Sequence, residues 1–492
     1  MSLISVKGLS FSYRKGEPVF SDVSFDLDTN WRTAVIGMNG CGKTTFLRLL
    51  CGQEAHTGKI TMEAVPEYFP FPVEDDSVTA REIILSRSPD AGDWEMEMEA
   101  NLLRLEREAL GREYSTLSGG EQVKVLLIAL FTGSADFLLI DEPTNHLDPA
   151  SRDDIASYLK RKKGFILVSH DRDFIDGVAD HILSIEPSGI YVCRGNYSSW
   201  KEDLDRRNSY EATQNERLEK EIASLGSAAA KTASWSGRIE RTRYHMDRSQ
   251  GSFDRGYAGH QSAKMMKRAK AIEKRVERSI SEKEGLLRDV WRTDELKIVP
   301  LQGRRTELIT ARDLSVIYGG KRVFGPVSFV LKKGERLAVS GGNGAGKSSL
   351  IRLLSGECLE YEGYLNIASG LVFSRVPQFT DSVKGPLREF AADRGLDQSV
   401  FRAMLSKTGV DPTEGETDLS ELSEGQKRKV LLAASVSESA DIYFWDEPLN
   451  YVDIPTRIQL EEAILKYSPT MVFCEHESAF VRNIATSVLE LD

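Results

Sequence analysis

The chain has 492 residues, 40% hydrophobic and 28% charged, with a formal net charge of −11. That length accommodates two or three domains, and apolar runs such as VLLIAL at 125–130 fall far short of the roughly 20 residues a membrane-crossing helix needs. The start MSLISVKGLS lacks the basic end and long apolar stretch of a signal peptide, and five scattered cysteines (Cys41, Cys51, Cys193, Cys358, Cys474) form no Cys-x-x-Cys pair, which excludes a disulfide framework or zinc ribbon and fits a reducing cytoplasm.

In chain order, LSFSY ends at Tyr13, and WRTAVIG (31–37) reads as a short buried strand leading into a Gly-rich turn. The helical pattern KTTFLRLLCG follows and is stopped by Gly52. LSGGEQ begins at Leu117, before an aliphatic helix. FLLID (137–141) is a continuous apolar strand ending in a carboxylate, and GFILVSH is a second strand closing on His170. From 201 the composition changes. Residues 201–225 are charged and helix-favouring, with Leu218, Ile222 and Leu225 on one face, and residues 264–290 carry a second apolar stripe. These spacings predict an antiparallel helical hairpin with its tip near 240–262, reaching on the order of 45 Å for a helix of about 30 residues.

After the hairpin the first landmarks recur at an offset of about 305 residues. LSVIY ends at Tyr318, GGNGAGKS starts at Gly341, LSEGQK starts at Leu422, YFWDEPLNYVD ends at Asp453, and VFCEHESAF carries His476. Five landmarks in one order mean a duplicated domain. The expected boundaries are 1–197 for the first copy, 198–304 for the linker and 305–492 for the second, with no further domain after it. Strands alternating with helices make each copy α/β with a mainly parallel sheet, whose ligands bind at the carboxyl ends of the strands.

The motifs carry nucleotide chemistry. Gly37-x4-Gly42-Lys43-Thr44 and Gly341-x4-Gly346-Lys347-Ser348 match the phosphate-binding loop. Their glycines let backbone N–H groups face phosphates, the lysine neutralises β- and γ-oxygens, and the Thr or Ser hydroxyl is a Mg²⁺ ligand. Asn39, Gly40 and Thr45 belong to the first loop; Asn343, Gly344 and Ser349 belong to the second. Asp141 and Asp446 end apolar strands, where a carboxylate reaches the Mg²⁺ shell. Glu142 and Glu447 follow as candidates for activating water, although a carboxylate there can also cap a helix. His170 and His476 are candidates for contact with the γ-phosphate or its water. Ser118, Gly119 and Gly120, with Ser423 and Gly425 in the other copy, open helices as further anion sites.

That signature makes both copies resemble the ATP-binding-cassette superfamily. The resemblance implies ATP as ligand, Tyr13 and Tyr318 as adenine-stacking rings, and Gln378 as a glutamine reaching the Mg²⁺ site. It also implies that each signature completes the site of the other cassette. Site one then joins the first phosphate loop to LSEGQ, where Glu424 replaces a glycine and weakens the site unless it points away. The first copy has Phe71 where the second has Gln378, whereas site two faces the intact Ser118-Gly119-Gly120. Site two is therefore the closer to consensus, despite Leu449 and Tyr451 in place of the first copy's Thr and His.

Two cassettes, a basic linker and no spanning segment resemble the ABC-F class. Excision-repair relatives would show zinc-ligand cysteines, and chromosome-structuring relatives far longer coiled coils. GNYSSWKEDLDRRNSYEATQNERLEKEI, GHQSAKMMKRAK and WDEPLNYVD look like the Vga/Lsa-type antibiotic-resistance members. The resemblance implies a cytoplasmic ATP hydrolase, monomeric with its own cassettes paired and without a transmembrane partner. It would act at the ribosomal tRNA exit-site region, near peptidyl-transferase-centre rRNA and P-site tRNA, against lincosamides, pleuromutilins and streptogramin A compounds. A housekeeping translation factor and an exporter ATPase are the alternatives.

Charge supports a polyanion partner. Residues 201–290 hold 20 basic against 15 acidic residues, and 231–275 hold 12 against 4, so a basic projection interrupts an acidic body. Arg241, Arg243, Arg255, Lys264, Lys267 and Arg268 are candidates for phosphate contact, and Tyr244, His245, Phe253 and Tyr257 for stacking on bases. The competing reading is a solvated helix face with aromatics packing the tip.

Overall fold

The computed structural model describes residues 3–13, 18–133, 136–145, 147–186, 189–246, 274–276, 278–279, 295–301, 303–411 and 418–491, without the side chains of 226 and 228–246. Its contacts divide the chain into two units, Met1–Trp200 with Thr293–Asp492, and Lys201–Arg292.

In the first unit the N-terminal cassette begins with β1 (Leu3–Phe11) between β2 (Phe20–Asp28) and β4 (Thr57–Thr61), all antiparallel. A second sheet contains β3 (Arg32–Gly37), β5 (Pro66–Phe69), β6 (Phe137–Asp141), β7 (Phe165–Val168), β8 (His181–Glu186) and β9 (Gly189–Arg194) in the order β5-β6-β7-β3-β8-β9. Only the β8–β9 pairing is antiparallel. Phe165–Val168 and Phe137–Ile140 are buried throughout, as strands of a parallel sheet covered on both faces must be. Helices α1 (Lys43–Leu50), α2 (Ala80–Arg87), α3 (Asp93–Leu102), α4 (Gly119–Phe131), α5 (Pro149–Leu159) and α6 (Arg172–Val178) join the strands. Two cores result, one gathering Phe46, Val35 and Ile166, the other gathering Leu127, Ile140 and Phe174.

The C-terminal cassette repeats this plan. β11 (Glu307–Tyr318) pairs with β12 (Lys321–Arg322), β13 (Val327–Lys332) and β15 (Glu360–Ile367). The parallel sheet runs β16-β18-β19-β14-β20, from β14 (Arg336–Ser340), β16 (Phe373–Val376), β18 (Ile442–Asp446), β19 (Met471–Cys474) and β20 (Ser487–Glu490). Its helices are α8 (Lys347–Leu354), α9 (Leu387–Asp393), α10 (Gln398–Lys407), α11 (Glu424–Ser437), α12 (Ile454–Tyr467) and α13 (Ser478–Ile484). A short parallel pair, β10 (Val299–Pro300) with β17 (Ser439–Ala440), fastens the chain as it arrives from the linker. Leu296 and Ile298 are already buried in this cassette's core, ahead of residue 305.

Helix α7 (Tyr197–Met246) is continuous over 50 residues. It therefore runs past residue 240, where the sequence led us to expect the tip to begin. It carries through Gly226 and Gly237, helix-weakening residues flanked by alanines and by straight-chain side chains that favour the helix. Of the second apolar stripe expected at 264–290, residues 274–276 and 278–279 are described and helical.

Candidate ATP sites

Each phosphate loop is built between the end of one parallel strand and the start of one helix. Gly42 (φ 99°) and Gly346 (φ 89°) immediately precede α1 and α8 in left-handed conformation. A Cβ on Gly42 would lie 2.6 Å from Val19 and 2.8 Å from Phe20, so both backbone angle and space demand glycine. Lys43 Nζ donates to the carbonyls of Gly37 (2.9 Å) and Met38 (3.0 Å), and Lys347 Nζ donates to Gly341 (2.9 Å) and Gly342 (2.8 Å). The loops are thus near copies, both ending in a buried ammonium at a helix N-terminus.

Site one is a cavity of about 480 Å³ bordered by both cassettes, within the range of roughly 300–1,000 Å³ usual for ligand pockets. The first cassette contributes Tyr13, Asn39, Gly40, Gly42, Lys43, Thr44, Thr45, Asp141, Glu142 and His170; the second contributes Ser423, Gly425 and Tyr451. Asn39 holds the two sides together. Its N–H donates to Asp453 (2.7 Å) and its side-chain amide to the Tyr451 carbonyl (2.7 Å). A Cβ on Gly425 would fall 2.9 Å from that carbonyl and 3.0 Å from the Asn39 amide, so this glycine permits the close approach. Tyr13 donates to or accepts from Thr45 Oγ1 (2.8 Å) and keeps an exposed ring.

Thr44 Oγ1 donates to Asp141 Oδ2 at 2.9 Å, bringing the two expected Mg²⁺ ligands together. Sequence reasoning missed Tyr68, which donates to the same oxygen at 2.6 Å from the neighbouring strand β5. Burial and the Asp141 charge push its phenol pKa upward. Glu142 has left-handed backbone (φ 51°), strained for a side chain of this size. Its carboxylate oxygens are shielded from solvent, with His170 Nε2 3.3 Å from Oε1. Burial, then the Asp141 charge, pushes the Glu142 pKa up to about 7. Burial and the Lys43 charge hold His170 well below its usual value, favouring neutral imidazole.

Glu424 turns away from site one. Its carboxylate accepts from Thr380 Oγ1 at 2.6 Å, within its own cassette, and lies 3.3 Å from Lys427. The charge that the sequence put beside the triphosphate is directed elsewhere.

In the second cassette, Glu447 repeats the left-handed backbone (φ 47°) with the opposite electrostatics. It accepts from Gln378 Nε2 (3.1 Å) and Asn450 Nδ2 (2.7 Å), with His476 Nε2 3.4 Å away. Burial alone would raise its pKa, but His476, Asn450 and Gln378 outweigh it and bring it to about 2. Asp446 accepts from Ser348 and from Cys474 Sγ (2.7 Å); burial raises both the Asp446 and the Cys474 pKa. Tyr318 ends β11 half-exposed, while Asn343, Gly344 and Ser349 lie on the loop and first turn of α8. Ser118 caps α4 against Glu121, and a Cβ on Gly120 would meet Ser151 Oγ at 2.7 Å, both within the first cassette. The described contacts thus do not join Ser118–Gly120 to the second phosphate loop as Ser423 and Gly425 are joined to the first.

A buried ion cluster also links the cassettes. Arg172 Nε donates to Glu477 (2.6 Å) and its Nη2 to Glu461, while Arg457 lies 3.1 Å from Glu477. Arg241, Arg243, Tyr244 and His245 fall in the last turns of α7 without described side chains, and Phe253, Arg255, Tyr257, Lys264, Lys267 and Arg268 lie outside the described residues.

Two phosphate loops, each followed by a strand-end Asp-Glu pair, define a tandem-cassette ATPase. The ABC transporter family profile matches residues 20–145 and 324–450, and the chain belongs to that family. Its likeness to full-length relatives extends through the linker, which puts it in the ABC-F class. The ribosome protection protein VmlR of Bacillus subtilis is 26% identical over 99% of this chain and 86% of its own. The energy-dependent translational throttle protein EttA of Haemophilus influenzae is 28% identical over 96% of this chain and 89% of its own. Among solved structures, the RNase-L inhibitor matches with a TM-score of 0.59 and 21% identity, covering 94% of this chain and 83% of that one. That likeness is one of fold.

Proposed function

We propose that the protein is a cytoplasmic ribosome-binding ATPase that protects the ribosome against antibiotics of the peptidyl-transferase centre. The observation that carries this reading is the match to a ribosome protection protein over 99% of the chain, including a linker whose 231–275 segment holds 12 basic and 4 acidic residues. Among the described residues, no helix is long and apolar enough to cross a membrane. The identity to EttA favours a second reading, a translation factor without a role in drug tolerance.

In the chemistry we assign, ATP occupies both sites. Lys43 and Lys347 face its phosphates, and Glu142 and Glu447 orient water with His170 and His476. Thr44 with Asp141, and Ser348 with Asp446, fit Mg²⁺, since each hydroxyl already lies against its carboxylate. Gln378 fits the same shell, and the ion would neutralise phosphate charge. Site two, with Gln378 on Glu447, is the main hydrolytic site; site one, with Phe71 in the matching position, turns over more slowly.

The test uses the Glu142→Gln/Glu447→Gln double variant, which should trap ATP. We expect it to pellet with ribosomes in ATP but not ADP, and the unmodified protein to raise drug tolerance when expressed. Ribosome binding without a change in tolerance favours the translation-factor reading. An absence of ribosome binding overturns both.

A further inference from the structure

The opening turns of α11 make two sets of contacts. On one side Ser423, Gly425 and Lys429 border site one, and Lys429 pairs at 2.6 Å with Asp453, which accepts the Asn39 N–H of the first cassette. On the other, Arg428 is 3% exposed and donates through Nη1 to the Pro377 carbonyl (2.6 Å) and through Nη2 to the Gln378 carbonyl. Glu424 adds its bond to Thr380, two residues further along that loop. Gln378 in turn reaches Glu447 at 3.1 Å inside site two.

We propose that Glu424 and Arg428 are positioning residues that couple the two ATP sites. Nucleotide in site one fixes α11 against the first cassette; Arg428 and Glu424 then fix the Pro377–Thr380 loop, and so the orientation of Gln378 on Glu447. The first cassette offers no equivalent. Gly119, Val123, Phe71 and Val73 stand at the matching positions and have no side-chain group able to make these bonds. The sites are joined through one helix, and Glu424, which breaks the signature, helps build the joint. For nucleotide binding the coupling acts equally in both directions.

The inference rests on site two as the main hydrolytic site and is independent of the ribosome. It is tested on the purified full chain by steady-state ATPase assay without ribosomes. Lys43→Met, which disables site one, should lower kcat by about 5-fold or more, the usual lower end of site–site coupling. Glu424→Gly, although it restores the family signature, should lower kcat with little change in KM, as should Thr380→Val. In either background the further effect of Lys43→Met should shrink to less than about twofold, because the link is already cut. Thr380→Ser, which keeps the hydroxyl, should restore the full effect. An equal fractional effect of Lys43→Met in all backgrounds, whether nil or complete, overturns the link. Turnover that survives Lys347→Met overturns the assignment of site two, and the link with it.

Discussion

Glu142 and Glu447 occupy equivalent positions, share a left-handed backbone and face histidines at similar distances, yet their surroundings drive their acidities apart. Both are desolvated; Glu142 adds the Asp141 charge, whereas Glu447 is held down by His476 together with the Asn450 and Gln378 amides. A carboxyl whose pKa is raised from 4.5 to about 7 costs folding free energy as pH climbs through that interval, so Glu142→Gln should stabilise the nucleotide-free protein at pH 8, by at most about 3 kcal/mol. A carboxyl lowered to about 2 contributes stability above pH 4.5 that is lost as pH falls toward 2, so Glu447→Gln should destabilise at pH 8. Urea denaturation of the two variants at pH 8 should move the midpoint in opposite directions; shifts of the same sign would contradict the electrostatic contrast.

At the scale of elements, α6, α12 and the start of α13 meet across the cassette boundary at Arg172. Removing one partner of a buried ion cluster strands the others. Arg172→Met, leaving Glu477 to Arg457 and Glu461 to Asn483, should cost about 3–5 kcal/mol, with a penalty that salt changes little. The Arg482–Asp173 pair crosses the same boundary at 2.9 Å on the surface, and Arg482→Ala should cost under about 1 kcal/mol. Denaturation at low and high salt distinguishes the two cases. These ion pairs across the boundary were not legible in the sequence, although the meeting of the second signature with the first phosphate loop was expected from the family resemblance. Phosphate loops and strand-end carboxylates can be read because their chemistry sits within a few consecutive residues. Arg172 and Glu477 are 305 residues apart, and Tyr68 reaches Asp141 only through the β5–β6 register. Glu424 was visible as a departure, but its effect depends on the direction its side chain takes, which Thr380 sets.

For the whole molecule, the charge contrast between body and linker was fully readable, since it needs only a count along the chain. It leads to an expectation for ribosome binding by the ATP-trapped double variant. Affinity should fall steeply with salt, and replacing Lys264, Lys267 and Arg268 with Gln should flatten the log–log slope by roughly 2, at about 0.7–0.9 for each phosphate left without its cation. An unchanged slope would mean that these three face solvent.

The short β10–β17 pair bears on how load enters this protein. Pro300 has no N–H to donate, and the Leu301 N–H bonds the Ala440 carbonyl at 2.9 Å just beyond it. Residue 440 lies two positions before β18, the strand that ends at Asp446 and Glu447. Tension on the chain ahead of Leu296 would be resisted jointly by the Glu295 pair with Lys466, the buried Leu296 and Ile298, and this clasp, whose far side leads into the strand that carries the carboxylates. The arriving chain is thus anchored two residues ahead of the strand that ends at Asp446 and Glu447, so a pull test on the linker should soften this strand before it disturbs the N-terminal cassette.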